Sequence, residues 1–160
     1  MPNFELEQVS RLVIEQNSSR KTWVEQPTTF IEDYVREEFR ELELAQLPEE
    51  KDWDRWEIIS EIGDVEYLFI KLKDKLKEGE EMPADVLFFR NIARSMAEHI
   101  NVDIADAVHL KVIRNDLKYP MSITNSHEYE EGRTKSRELW EMMGGDKAFY
   151  KWYEAIYGKI

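Results

Sequence analysis

Apolar side chains recur along most of this chain at intervals of three and four residues, which is the spacing of an amphipathic helix rather than of a strand. Glycine and proline, which break helices, number only 6 and 5. The pattern therefore predicts an all-α fold, an antiparallel helical bundle. The predicted helices cover about residues 5–16 and 28–47, then from Asp52 or Asp54 to 77, 83–99, and from Asn101 or Asp103 to 119. Two shorter ones lie between 128 and 160 and divide at Gly144-Gly145, and loops are expected at 17–21 and 121–127.

The predicted helix at 28–47 carries carboxylates on its apolar side. At about 100° of rotation per residue, one arc of this helix contains Phe30, Ile31, Tyr34, Leu42 and Ala45. Glu38 and Glu41 fall inside the same arc, and Glu37 lies at its edge. Burying a bare carboxylate costs several kcal/mol or forces it to take up a proton. A chain that places two or three of them on a buried face needs something to offset their charge.

The next predicted helix repeats the pattern. Glu61 and Asp64 flank its apolar stripe, three residues apart, a spacing at which helical side chains converge. If the two helices pack antiparallel, their four carboxylates meet, and a divalent cation such as Mg²⁺ or Mn²⁺ would relieve the repulsion. The alternative is that charged residues, 35% of the chain, form solvated faces or pair with Arg36 and Arg40.

A basic, polar face follows near Pro120. Lys111, Asn115 and Lys118 recur at intervals of four and three, so they share one side of a helix. Cations at this place can hold phosphate oxygens that a metal ion does not reach. The alternative is that they complement the helix dipole near a C-terminus.

Composition limits the partners and the compartment. The formal net charge is −12, from 22 basic and 34 acidic residues, and such a chain repels the backbone of a nucleic-acid polymer. Without cysteine, it has no disulfide, thiolate zinc site or cysteine nucleophile. No apolar run approaches the roughly 20 residues that span a membrane, and the first residues lack the pattern of a signal peptide. We therefore expect a cytoplasmic protein with no membrane and no nucleic-acid polymer as partner.

These motifs, taken in order, resemble those of the MazG-like all-α nucleotide pyrophosphohydrolases. The family pattern is matched by Glu37-Glu38-x-x-Glu41, by Glu61-x-x-Asp64 and by Lys111-x-x-x-Asn115-x-x-Lys118-Tyr119-Pro120. The resemblance covers about residues 5–120. It implies a four-helix core, hydrolysis of a nucleoside triphosphate, NTP or dNTP, to the monophosphate and pyrophosphate, and assembly into a homodimer or homotetramer.

The resemblance also implies a role for each matched residue. The cofactor, Mg²⁺ or Mn²⁺ in its place, would be coordinated by Glu38, Glu41, Glu61 and Asp64. The catalytic carboxylates would be Glu37, Glu38 and Glu41. The nucleotide substrate would be bound through its phosphates by Lys111, Asn115, Lys118 and Tyr119, and in the loop after the first helix by Arg20 and Trp23, with Trp23 near the base.

The chain departs from the family pattern in its length. Asp64 and Lys111 lie 47 positions apart (111 − 64), so we expect an extra helix-sized segment inserted into the four-helix core. We predict one domain, with a pyrophosphohydrolase core at 1–125 and an aromatic-rich helical C-terminal extension at 126–160 packed on it. The extension would cover the core or a subunit interface, or else form a lid or a base pocket.

Other functions stay open on the sequence alone. One is a related helical enzyme, a dUTP or phosphoribosyl-ATP pyrophosphohydrolase, which only its substrate would distinguish. Another is a non-enzymatic helical oligomer, a binding or scaffold protein, in which the Glu pairs are bridged to Arg36, Arg40 and Arg55. A di-iron bundle is a weaker candidate, since it needs Glu-x-x-His pairs and the sequence has none.

Overall fold

The structure is a computed structural model that describes residues 4–160. Within this range the chain forms helices and no strand, which confirms the all-α prediction. The helices are α1 (Leu6–Ser19), α2 (Lys21–Val24), α3 (Thr28–Ala45), α4 (Arg55–Lys75), α5 (Ala84–His99), α6 (Ile104–Lys118), α7 (Met121–Thr124), α8 (Tyr129–Met142) and α9 (Gly145–Tyr157), with a 3₁₀ turn at Glu50–Asp52. None of these helices combines the length and the apolar character that crossing a bilayer requires.

Helix α4 lies at the centre of the bundle. It packs against α1, α3, α5 and α6, and apolar side chains on several of its sides, such as Ile62 and Leu72, are fully buried. Glu66 of the same helix is also buried, and it forms ion pairs with Arg94 at 2.5 Å and Arg90 at 3.4 Å. A buried carboxylate is tolerated when cations offset its charge, so these pairs fasten α5 to α4.

The backbones of α4 and α6 approach closely at Gly63. A Cβ atom at this position would lie 2.4 Å from the carbonyl oxygen of Ala107, which is too short for a real contact. Only glycine permits so close an approach of two backbones. The contact brings the next residue, Asp64, to a position where one of its oxygens is 2.9 Å from Nζ of Lys111 on α6.

The C-terminal helices α8 and α9 close one side of the bundle. Asp146 accepts hydrogen bonds from Arg114 of α6 at 3.0 Å and from Trp140 of α8 at 2.9 Å, so one carboxylate joins three helices. Tyr153 of α9 is fully buried, with its hydroxyl 2.8 Å from Nδ1 of His109. The segment predicted as an extension therefore shares a hydrophobic core with the helices before it.

Two segments predicted as loops contain helix. Helix α1 continues through Ser19, because Asn17 is buried and donates a hydrogen bond to the hydroxyl of Tyr67 at 2.9 Å. A tertiary contact thus outweighs the weak helix propensity of this polar stretch. The short helices Lys21–Val24 and Met121–Thr124 also lie where no helix was predicted.

Several predicted helix boundaries are confirmed. Asp54 precedes α4 and accepts hydrogen bonds from the first backbone amides of that helix. Asp103 does the same for α6. Gly144 and Gly145 separate α8 from α9 with positive φ angles of 109° and 65°, a conformation that glycine adopts without strain.

Gly63→Ala should destabilise the protein, because the added methyl group must push α6 away from α4. We expect the free energy of unfolding, measured by urea titration, to fall by about 1 to 3 kcal/mol, the usual cost of overpacking. The matched control is Gly132→Ala on α8, where a Cβ would meet only ordinary contacts at 3.5 Å and beyond. That variant should be neutral or more stable by up to about 1 kcal/mol, and equal effects of the two substitutions would contradict the close approach.

Candidate metal and nucleotide site

The main cavity opens between α3, α4, α6 and α8 and encloses about 630 Å³. Its acidic residues come mostly from α3 and α4, and its basic residues come from α6 and α8. The lining side chains are Phe30, Asp33, Tyr34, Glu37, Glu38, Glu41, Glu61, Asp64, Lys111, Arg114, Lys118, Tyr119, Tyr129, Glu130, Arg133 and Arg137. A surface that is acidic on one side and basic on the other suits a ligand that joins a metal cation to an anion.

Three carboxylates of the main cavity converge into one group, the carboxylate cluster, formed by Glu38, Glu61 and Asp64. One oxygen from each lies within 4.8 Å of the others. Glu38 projects from α3 and the other two from α4, the two helices that share the most extensive contact in the bundle. Three of the four carboxylates that were expected to meet therefore lie together, whereas the fourth, Glu41, is exposed and lies outside this group.

The charge of the carboxylate cluster is incompletely offset. Oε2 of Glu61 is buried and has no hydrogen-bond partner within residues 4–160. Oδ1 of Asp64 forms an ion pair with Lys111 at 2.9 Å, and Arg114 lies 4.0 Å away. A buried carboxylate oxygen without a partner is costly, so the cluster fits a bound cation. An all-oxygen donor set suits Mg²⁺ or Mn²⁺.

The pKa values of the cluster also indicate that its negative charge is incompletely offset. Burial, together with the neighbouring charge of Asp64, raises the pKa of Glu38 to about 9. The same two causes raise the pKa of Glu61 to about 8. At neutral pH the metal-free cluster therefore holds protons on these side chains, and a divalent cation would have to displace them.

The remaining predicted carboxylates lie beside the cluster and not in it. Glu37 and Glu41 are exposed on α3 and line the main cavity. The charge of Glu41 contributes to the raised pKa of Glu61, which places it close to the cluster. These two residues can reach a ligand in the cavity, whereas the compact group that could hold an ion has three members.

Three of the four predicted phosphate-binding residues, Lys111, Lys118 and Tyr119, line the main cavity, and the fourth, Asn115, does not. Lys111 forms an ion pair with Asp64. Asn115 is buried behind it, with its side-chain amide 3.3 Å from Oε1 of Gln16.

A second, smaller cavity, the aromatic pocket, adjoins the main cavity and shares six of its lining residues. The side chains that line the aromatic pocket alone are Asn17, Trp23, Gln26, Ile31, Tyr67, Leu68, Lys71 and Asn115. Trp23 was predicted to lie near a base, and it forms part of this wall. The pocket is narrow, and its aromatic walls suit a flat ring.

Polar groups in the aromatic pocket could read the edge of such a ring. Nζ of Lys71 lies 5.4 Å from the centroid of the Trp23 ring and donates to the side chain of Gln26. Burial, followed by the nearby charges of Lys75 and other cations, lowers the pKa of Lys71 to about 7. Oδ1 of Asn17 is buried without a partner in the described chain, so the pocket offers both a donor and an acceptor.

The structure places Arg20 outside both cavities, contrary to the sequence prediction. It is 2% exposed and donates to the carbonyl of Tyr119 and to Asp116, both at 3.1 Å. Its guanidinium lies 5.0 Å from the centroid of the Trp23 ring. Arg20 therefore holds the end of α6 and the wall of the aromatic pocket in place rather than facing a ligand.

Sequence reasoning missed the part of the cavity that α8 contributes. Tyr129, Arg133 and Arg137 all line the main cavity. Their spacing of four residues was visible in the sequence and indicates one face of a helix. Nothing in that spacing shows which other helix the face meets, and this is why the residues were missed.

The salt-bridge alternative predicts that Arg36, Arg40 and Arg55 neutralise the Glu pairs. Arg36 instead pairs with Asp33 at 2.8 Å and Asp85 at 2.7 Å. Arg55 donates to two backbone carbonyl oxygens. None of these contacts offsets the charge of the carboxylate cluster.

Comparison of the chain with profiles of known protein families, with curated proteins and with solved structures finds no match. A function must therefore be argued from the geometry of the site. The resemblance in the sequence motifs stays a prediction.

Glu61→Gln should change how stability depends on pH when metal is absent. In the unfolded chain Glu61 loses its proton near its usual pKa of 4.5, whereas in the folded chain it keeps the proton until about pH 8. The free energy of unfolding should therefore fall as pH rises between these values. Gln carries no charge, so we expect the variant to be more stable than wild type at pH 9 in EDTA, by on the order of 1 kcal/mol.

Chemical denaturation at several pH values measures this effect. The control is Glu43→Gln, an exposed position on α3 outside the main cavity, which should run parallel to wild type. Parallel curves for Glu61→Gln as well would show that this carboxylate carries no electrostatic strain.

Proposed function

We propose that the protein hydrolyses a nucleoside triphosphate to the monophosphate and pyrophosphate with the help of a divalent cation. The observation that carries this proposal is the carboxylate cluster, with its unpartnered Glu61 oxygen, facing cations across one cavity. The adjoining aromatic pocket adds a place for a base. The order of motifs along the sequence, which resembles the MazG-like pyrophosphohydrolases, supports the same function.

The cluster supplies the residues for the cation. Glu38, Glu61 and Asp64 would hold Mg²⁺, or Mn²⁺ in its place. Such an ion, when bound, offsets phosphate charge and makes water more acidic. The three carboxylates would have to be ionised for this, so the raised pKa values of Glu38 and Glu61 favour binding at neutral to alkaline pH.

The exposed carboxylates beside the cluster would act on the attacking water rather than hold the metal ion. Glu41 and Glu37 lie on the same helix as Glu38 and line the cavity that the phosphates would enter. An ionised carboxylate at this place can orient a water molecule and accept its proton as the water attacks phosphorus. Glu41 is the better candidate, because its charge acts on Glu61.

The basic side of the cavity would bind the phosphates. Lys111 touches the cluster through Asp64, and it can stabilise phosphate oxygens next to the ion. Lys118 lies further along α6 and lines the same cavity. Trp23, Asn17 and Lys71 would surround the base in the aromatic pocket.

We further propose that the protein acts as a homodimer or homotetramer in the cytoplasm. Large apolar side chains are exposed on separate parts of its surface, including Leu47 at 76%, Phe88 at 59% and Met142 at 82%. Burying such side chains against a second copy is a common reason for oligomers to form. The choice among a general nucleotide pyrophosphohydrolase, a dUTP hydrolase and a phosphoribosyl-ATP hydrolase depends on the substrate.

Release of pyrophosphate from a panel of NTPs, dNTPs and phosphoribosyl-ATP tests the proposed reaction. We expect release with Mg²⁺ and none in EDTA. Glu61→Gln removes a charged ligand and should lower kcat at least about 100-fold, as for other losses of charge stabilisation in an active site. Glu43→Gln should retain wild-type rates. A folded, metal-saturated protein that releases no pyrophosphate from any of these substrates would refute the proposed reaction.

Trp23→Ala should weaken recognition of the base. Stacking of a base on an aromatic ring contributes about 1 to 3 kcal/mol, so we expect KM to rise about tenfold or more with little change in kcat. Trp152→Ala is the matched control, because Trp152 is exposed on α9 and lines neither cavity. If Trp23→Ala and Trp152→Ala give the same KM as wild type, the aromatic pocket does not bind the base.

A further inference from the structure

One face of α8 points into the main cavity. Tyr129, Arg133 and Arg137 follow one another at intervals of four residues, and all three line the cavity. Trp140 lies seven residues after Arg133 and so falls on the same side of the helix; it is buried and donates to Asp146. The helix is therefore fixed near its C-terminal end, while Arg133 and Arg137 line the main cavity.

The guanidinium of Arg133 is surrounded by three tyrosine side chains. It donates to the hydroxyl of Tyr34 at 2.8 Å and to that of Tyr129 at 2.5 Å. It also lies 5.2 to 5.5 Å from the ring centroids of Tyr34, Tyr119 and Tyr129. A guanidinium has five N–H donors, so these two hydrogen bonds leave others free toward the cavity.

The cations at this end of the cavity have no acidic partner. Within residues 4–160, no Asp or Glu oxygen lies within 4.0 Å of the charged nitrogens of Lys118, Arg133 or Arg137. The deeper cations differ, since Lys111 pairs with Asp64 and Arg114 pairs with Asp146. In a chain of net charge −12, three unpaired cations that line one cavity form a site for an anion.

Titrating groups nearby report a positive potential at the same place. Although burial raises the pKa of Tyr119, the charges of Arg133 and Lys118 and a contact with Arg137 lower it overall. Burial, followed by the charge of Arg114, lowers the pKa of Lys118. The shift of Tyr119 has the direction that excess positive charge produces, whereas burial is the larger cause of the Lys118 shift.

We propose that Arg133 and Arg137 of α8, together with Lys118, bind the phosphates of the substrate that lie away from the carboxylate cluster. This inference rests on the proposed function and extends it, because it makes the C-terminal segment part of the binding site. It also defines the substrate class. The cluster and these cations line the same cavity, so we expect a chain of three phosphates, which extends further than one, to meet both and to bind better than a monophosphate.

The test uses Arg137→Ala, because Arg137 is exposed and its removal leaves the core intact. Binding of inorganic tripolyphosphate is measured by calorimetry in EDTA, where only the cations can hold the anion. Binding of Mn²⁺ alone is measured separately, and KM and kcat are measured with the preferred nucleotide. We expect Arg137→Ala to weaken tripolyphosphate binding about tenfold and to raise KM about tenfold. Changes of this size correspond to the loss of one charged hydrogen bond. Mn²⁺ binding should be unchanged.

Lys135→Ala is the matched control. Lys135 lies on the same helix, is half exposed, pairs with Glu131 at 3.9 Å and does not line the cavity. This variant should behave as wild type in all three measurements. It removes the same charge from α8, so any effect of net charge alone would appear in both variants.

The outcomes separate this inference from the proposed function. Tripolyphosphate binding that depends on Arg137 in a protein without turnover supports the anion site and refutes the reaction. A second outcome is that the protein turns over its substrate, but the KM and the tripolyphosphate affinity of Arg137→Ala lie within twofold of those of Lys135→Ala. This outcome refutes the anion site and leaves the proposed reaction standing. Failure of the wild-type protein to bind tripolyphosphate also refutes the anion site.

Discussion

The contact between α3 and α4 brings three carboxylates together, one buried and two partly buried, and the neighbouring helices supply groups that offset part of their charge. Glu38, Glu61 and Asp64 lie within 4.8 Å of one another, at an interface that apolar neighbours such as Leu42 and Ile62 keep buried. Lys111 offsets part of the charge. Burial, together with the charge of Asp64, raises the pKa values of both glutamates, so protons offset the rest of the charge while no cation is bound. Grouped carboxylates of this kind cost stability, so they indicate a binding site rather than a contribution to the stability of the fold.

The surrounding helices hold this interface in register. The close approach of Gly63 to Ala107 brings α6 against α4 and sets Lys111 beside Asp64. Arg114 then reaches Asp146 at the start of α9, so the C-terminal helices are tied to the same charged network. The basic residues Arg133 and Arg137 of α8 line the same cavity as the carboxylate cluster. One cavity thus has a side that attracts cations and a side that attracts anions.

The sequence predicted what local periodicity and burial determine. It predicted most helices, since apolar spacing reports directly on a helical face. It singled out Glu38 and Glu41 on one apolar face, and Glu61 and Asp64 beside the next, but Glu41 is exposed and lies outside the cluster. It could not predict contacts between distant segments. Arg20 was assigned to the substrate, yet its partner Asp116 lies 96 positions away in the chain. Arg133 was missed for the same reason, as Tyr34 is 99 positions from it.

Anomalous diffraction from crystals grown with Mn²⁺ tests the central claim, that the carboxylate cluster holds a divalent cation. We expect an anomalous peak surrounded by oxygens of Glu38, Glu61 and Asp64 at about 2.1 Å, typical of a small hard divalent ion, and we expect the peak to be lost in Asp64→Asn. No peak at the cluster at saturating Mn²⁺, with the three side chains placed as described, would contradict the account.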